Sequence, residues 1–368
     1  MNSQKLDRWI FESFSVTPEG LGFFRITFSL FILFFLMPDT SNFGYLSSLP
    51  ADFYSPPPGP MMLLNEFPPE PVFWLIYGLL FISLCFLLIG YETRKSSIAA
   101  GIFILLLKGL AFSIGKINHD LLLAVVPLVM AFSNWGAAFS VDAARGKTVT
   151  KVNSWPLTLL ALLIGFMMFT AGFPKILGGW LDPATQATEG HFLNQFFTKE
   201  RQALLAEYIF YIEMDYIWEL MDWGTIVFET GFLFAVFNSR WFKLFICIAV
   251  LFHFSTLAIL NIAFLVNYIA YAAFLDWDKI FKIFHEWSRN LTGRVQQTTI
   301  GTPAIYGILL LTGFSIIKMI ANSDLFFGDS EIAFHEFYFS ALAMVLILYL
   351  GIGKIKTTLE ERLKLSFT

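Results

Sequence analysis

Uninterrupted apolar runs of membrane-spanning length recur along this chain, and no water-soluble fold can bury so many of them. A helix rises about 1.5 Å per residue, so crossing about 30 Å of hydrocarbon takes some twenty residues. Ten stretches approach or reach that length: 21–37, 72–90, 97–115, 120–133, 156–177, 222–238, 241–259, 262–276, 303–321 and 336–354. The run from 241 to 276 is nearly continuous and is divided at Asn261, because no single helix needs thirty-six residues to cross. Hydrocarbon offers no partner to a backbone amide, so the spans must be helices. With 57% hydrophobic and 14% charged residues and a mean hydropathy of +0.66, the chain reads as an all-α integral membrane protein. The expected architecture is a polytopic bundle of about 8–10 transmembrane helices.

Lysine and arginine placement sets the orientation. With the N-terminus inside, 17 basic residues fall in cytoplasmic segments and only Lys116, Lys199 and Arg201 fall outside. The remaining four, Arg25, Lys108, Lys175 and Lys318, lie within spans. Both termini are therefore expected in the cytoplasm. The first run follows acidic residues and Pro18 and has no small-residue cleavage site after it, so it reads as a retained helix. A bacterial cytoplasmic membrane fits that pattern. The divisions expected are a transmembrane domain over 1–276, a cytoplasmic linker over 277–302, and a C-terminal hairpin with a short basic tail over 303–368.

A net charge of −4 and the lack of any basic run exclude a nucleic-acid partner. Cys85 and Cys247 sit in apolar runs and read as packing residues. Two external segments stand out. Residues 38–71, with Ser55-Pro56-Pro57-Pro58-Gly59-Pro60, are expected to form an irregular lid. Residues 178–221 mix aromatic and charged positions, as suits helices at the interface.

Ionisable groups near one depth carry the functional signal. Lys175 ends the outward-running fifth span, Asn118, His119 and Asp120 open the fourth from the same side, and His253 lies roughly 10 Å below the outer surface. Each has a structural alternative. Lys175 can snorkel and favour its helix dipole, His119 can cap a helix start, and His253 can hydrogen-bond between helices. Arg25 reads as a structural pair or an anchor, and Glu229 is a possible partner for Lys108. Gathered at one depth, these groups point to an outward-opening cavity with a base and histidines. No Walker loop, dinucleotide fingerprint, His-Glu-x-x-His or paired-cysteine spacing is present, so no metal is expected. A metal held by His119, His253 and Glu229 or Asp222 is the weaker alternative.

Four motifs then occur in order: Asn118-His119-Asp120-Leu121-Leu122-Leu123, Phe139-Ser140-Val141-Asp142, the run from Phe169 to Trp180 (FTAGFPKILGGW), and Phe252-His253. Together with Leu21-Gly22-Phe23-Phe24-Arg25-Ile26 they resemble the vitamin K-dependent gamma-glutamyl carboxylases and the bacterial horizontally transferred transmembrane (HTTM) domain proteins, over most of residues 15–276. The resemblance implies that Lys175 is the base that deprotonates a reduced vitamin K or menaquinol-type quinol. It further implies that Asn118 and His119 lie around a substrate glutamate and that His253 belongs to the active site. Oxygen and carbon dioxide would be co-substrates, and a small secreted peptide or protein on the outer face would be the acceptor. The chain departs from that pattern at Pro174, where the animal enzymes have a second lysine, and at Gly178-Gly179, which replaces a polar, acidic stretch. The carboxylases' large luminal domain is also not matched. Two functions follow: a quinol-linked membrane enzyme of carboxylase-like, carbon-carbon lyase type, or a non-catalytic binding, transport or peptide-immunity protein that keeps the same fold.

Overall fold

The structure is a computed structural model that describes residues 3–114, 120–147, 151–211, 215–292, 301–321 and 335–345. In chain order its helices are α1 (Ser3–Glu12), α2 (Pro18–Phe31, continued by a π turn Ile32–Leu36), α3 (Phe43–Ser48), α4 (Glu70–Ile89) and α5 (Thr93–Ala111). There follow α6 (Leu121–Met130), α7 (Val141–Ala144), α8 (Trp155–Leu177), α9 (Ala187–Leu193) and α10 (Ala206–Phe210). The last are α11 (Asp215–Ala235), α12 (Ser239–Leu260), α13 (Leu265–Ala272), α14 (Trp277–Thr292) and α15 (Gly301–Ala321). Among the described residues there is no strand.

Among those same residues, four helices are long and apolar enough to cross a membrane: Pro18–Leu36, Glu70–Ile89, Trp155–Leu177 and Ser239–Leu260. Leu121–Met130 and Leu309–Ile320 are shorter apolar helices. The chain is an all-α polytopic membrane protein. α4 shows why lipid must be its solvent: Trp74, Leu75, Phe81, Ile82, Phe86 and Ile89 all point out of the protein. α5 and α11 have the length of spans but carry charges. Those at depth are met inside the protein, Lys108 by Asp120 at 3.1 Å and Glu229 by Lys175 at 2.6 Å. Lys108 thus pairs with Asp120, not with Glu229.

The chain forms two compact units, one of residues 1–164 and 269–319, the other of 165–268 and 320–368. In the first unit, Thr17 caps α2 by accepting from Gly20 N at 3.1 Å, with Pro18 at the first helical position. Thr17 Oγ1 also donates to Asp278 Oδ1 at 2.5 Å, tying α2 to α14. Phe23 then meets Trp277 and Phe284 at ring distances of 5.9 and 5.0 Å. Residues 277–292 are therefore a helix packed on α2. Phe24 and Phe28 pack on Trp135, and all three are essentially fully buried.

Arg25 occupies the centre of that core with no solvent exposure. Its guanidinium donates to the carbonyls of Trp135 at 3.1 Å, Ala138 at 3.4 Å and Phe139 at 2.5 Å. The side chain is a clamp on the turn after α6, and no snorkelling is involved. Gly90 (φ 68°) ends α4 in the left-handed region, and a Cβ there would lie 2.8 Å from Arg25 Nη1. The segment 38–71 is more ordered than a Pro-rich lid: Tyr54 donates to Met61 O at 2.8 Å, and Met61 lies against Gly109 of α5.

The Phe139-Ser140-Val141-Asp142 motif has a structural job here. Ser140 caps α7 by accepting from Ala143 N at 2.8 Å. Asp142 is buried and accepts from Glu92 N at 3.0 Å and from Thr93 N and Oγ1 at 2.7 and 2.8 Å, capping α5. Beside it, exposed Lys147 and Lys95 hold Glu92 at 2.7 and 3.0 Å. Their hydrogen bonds and charge, Lys147 first, depress the Glu92 carboxyl to about 2. The folded value lies below the ordinary carboxyl value of 4.5. The contribution of these pairs is therefore complete above that ordinary value and is lost as pH falls toward about 2. Thermal unfolding of Glu92→Gln in detergent should differ most from wild type near neutral pH, and the two curves should converge in acid.

Candidate functional site

The second unit contains the lysine singled out above. Pro174 lies one residue before it inside α8, where a missing N–H weakens the last turns. The helix then stops in two residues. Gly179 takes φ 81°, Gly179 N donates to Ile176 O at 3.3 Å, and Trp180 N reaches back to Lys175 O at 3.1 Å. That bond pattern is a Schellman stop, which needs a residue free to enter the left-handed region. The reversal lays the Trp180 ring under Lys175, with Nζ 4.9 Å from the ring centroid.

α11 supplies the counter-charge. Gly165 and Gly172 are two turns apart on α8 and so share a face. A Cβ on Gly165 would lie 2.6 Å from Val236 Cγ2, and one on Gly172 would lie 2.7 Å from Glu229 Cβ. Two missing side chains thus let the helices approach closely, as small residues do between membrane helices. Lys175, three positions beyond Gly172, places Nζ 2.6 Å from both Oε1 and Oε2 of Glu229. The Glu229 side chain is only 7% exposed and that of Lys175 24%, so the carboxylate is inside and the ammonium is reachable. Such a two-point, charge-assisted contact is strong where water is scarce. Gly172→Leu should overpack this contact, at a cost of about 1–3 kcal/mol, and separate the pair. Gly224→Leu on α11 is the control, because nothing lies within 4 Å of the added carbon. A lower melting temperature for the first variant only, in detergent, is the expected result.

His253 is held in a different way. α12 ends at Leu260 and Asn261 turns left-handed (φ 53°), with its side chain accepting from Ala203 N at 2.8 Å and donating to Ala203 O at 3.0 Å. The long apolar run divides at that residue, as expected. The turn brings Phe264 to stack on the His253 ring at 4.3 Å and Tyr268 edge-on at 6.2 Å. Asn267 Nδ2 lies 3.3 Å from Nε2. At 3% exposure, the imidazole is enclosed in this cage and does not line open space.

Lys175 and His253 therefore belong to neighbouring polar groups with separate immediate partners. Phe228, next to Glu229, packs on Phe252, next to His253, at 5.2 Å. Asn118 and His119 lie outside the described residues. Asp222 is committed to capping α9, accepting from Ala187 N and Thr188 N at 2.8 Å each. Among the described residues no three His, Cys, Asp or Glu side chains gather as metal ligands. Glu229, which the sequence suggested as a partner for Lys108, is the partner of Lys175. Its signal was available in the glycine pair on α8 and the isolated carboxylate of α11, though 54 residues separate it from Lys175.

The HTTM domain family model matches residues 15–277, about seven-tenths of the chain. No curated protein and no solved structure matches.

Proposed function

Because this chain belongs to the HTTM domain family, we propose that it is a multi-pass membrane enzyme in which Lys175 and Glu229 form an acid–base couple acting on a quinol-type cosubstrate. The observation that carries this reading is a lysine, a quarter of whose side chain is exposed, held by a buried carboxylate and laid over an indole. An isolated lysine at a helix end needs no such partners, since it can reach water alone.

The donor set suits a quinol. Trp180 offers a ring face, Phe169 and Phe173 stack at 5.6 Å one turn earlier on α8, and Nζ and the Glu229 oxygens can exchange a hydroxyl proton. A reduced vitamin K or menaquinol would supply the electrons for oxygen chemistry when bound. The work of the protein residues is proton handling. Nζ donates to both carboxylate oxygens, so passing one proton from Nζ to Oε1 or Oε2 leaves a neutral amine beside a neutral acid. Away from water, the neutral and ionic forms of such a pair lie closer in energy than in solution. The amine can then accept a hydroxyl proton, and Trp180 favours the ammonium that forms. His253, fixed by Asn267 and Phe264, positions the neighbouring wall, with Asn118 and His119 as the further substrate-orienting groups. The charge bias supports a bacterial cytoplasmic membrane with the site facing outward, and the family resemblance suggests a small secreted peptide as acceptor.

One observation favours a second reading, in which the protein binds or transports a ligand without catalysis: Nζ already has both carboxylate oxygens, the arrangement of a structural ion pair. Mass spectrometry of quinone products separates the two. Purified protein is given reduced menaquinone or vitamin K, oxygen and bicarbonate, and wild type is compared with Lys175→Ala. Epoxide that depends on Lys175 supports the enzyme; bound but unchanged quinone supports the second reading.

A further inference from the structure

The first unit has a cavity that is independent of the reading above. Its volume is about 610 Å³, and every residue lining it is polar or charged. It is built by the α4–α5 turn and the chain between α6 and α8. Four of its side chains are cations, Arg94, Lys95, Lys147 and Lys151, against the carboxylates Glu92 and Asp142.

Both carboxylates are already spent. Asp142 uses its oxygens on the start of α5, and Glu92 takes Lys95 and Lys147. Among the described residues, Arg94 and Lys151 have no carboxylate within ion-pair distance. The Arg94 side chain and the Lys151 backbone are each held. The Arg94 guanidinium lies 4.8 Å over the Phe132 ring, and the Lys151 backbone carbonyl accepts from Asn134 Nδ2 at 2.8 Å. Asn153 donates to Phe132 O at 3.0 Å, closing the same loop. Asp142 already meets the positive end of the α5 dipole, so the excess charge is that of Arg94 and Lys151. With four cations against two carboxylates, the cavity is electropositive.

Its position selects the kind of anion. Phe132 packs on Trp155 at 5.9 Å, and Trp155 is the first residue of a membrane-crossing helix. Tryptophan at a span end marks the headgroup level of the bilayer. The loops concerned are those that the lysine and arginine bias assigns to the cytosol, where anionic lipids collect. A guanidinium fork beside lysine point charges recognises phosphate oxygens. The geometry points to a binding site for the phosphate group of an anionic phospholipid headgroup, with Arg94 and Lys151 as its principal ligands.

The test is native mass spectrometry of the full chain released from phosphatidylcholine nanodiscs containing phosphatidylglycerol, with a parallel titration of inorganic phosphate. Wild type should retain phosphatidylglycerol over phosphatidylcholine. Arg94→Gln and Lys151→Gln should each weaken retention about tenfold or more, the value of a hydrogen bond to a charged group, and together by about the product. Both side chains are exposed, so neither change disturbs the core. Binding of inorganic phosphate that falls in the same variants, without lipid preference, would keep the site and make its ligand a soluble phosphate compound. Equal loss in Lys243→Gln and Lys279→Gln, two exposed lysines outside the cavity, would reduce the effect to general surface charge and overturn the proposal. So would unchanged retention in the Arg94 and Lys151 variants.

Discussion

Lys175→Ala should lower product formation by about 10²–10⁴-fold, the usual contribution of a positioned acid–base group, and Glu229→Gln should fall in the same range. Stability alone does not separate a catalytic pair from a structural one, because removing one partner of a buried ion pair costs about 3–5 kcal/mol. That cost is reduced here, since a quarter of the Lys175 side chain meets its surroundings. The informative variant is the double one, Lys175→Met with Glu229→Leu. Replacing both charges by apolar groups removes the unpaired carboxylate, so the melting temperature should return to wild type or above it. Activity should not return. Recovery of product in the double variant would show that the pair only holds α8 to α11 and that the acid–base group lies elsewhere.

Arg25→Ala should be the most destabilising single change in the first unit. It strips the donors from the buried carbonyl of Trp135 and the partly buried carbonyls of Ala138 and Phe139. Each unsatisfied buried group costs about 1–3 kcal/mol, and the empty space beside Trp135 and Gly90 adds a cavity term. The sum exceeds about 4 kcal/mol, the range in which single changes are exceptional. The protein should elute as aggregate after detergent extraction. Arg25→Lys keeps the charge but offers one donor centre in place of a fork, and should fold with a clearly lowered melting temperature. A wild-type melting curve for Arg25→Ala would refute the clamp. The result also bears on the phosphate site, since the same turn is followed by Asp142 and the cap of α5.

Much of this architecture is legible in local pattern. Apolar runs mark the helices to within a few residues at most boundaries, because membrane crossing is a requirement of length and composition. The division at Asn261 is legible because asparagine enters the left-handed region at low cost. Gly178-Gly179 announces the end of α8 for the same kind of reason. Arg25 and Asp142 could be seen as unusual, but the groups they satisfy are backbone atoms about 110 and 50 residues away. Backbone carbonyls and amides look alike in every sequence.

Local pattern is enough to show that this chain is helical, lies in a membrane, and ends one span on a lysine, since hydrocarbon tolerates only helices whose backbone groups are satisfied within them. What the charges do depends on the packing. Lys175 belongs to Glu229 because two glycines let α8 and α11 approach, Lys108 belongs to Asp120, and His253 is sealed by Asn267 and Phe264. Partner choice depends on the distance between helices and on which faces meet, and that packing is a property of many residues at once.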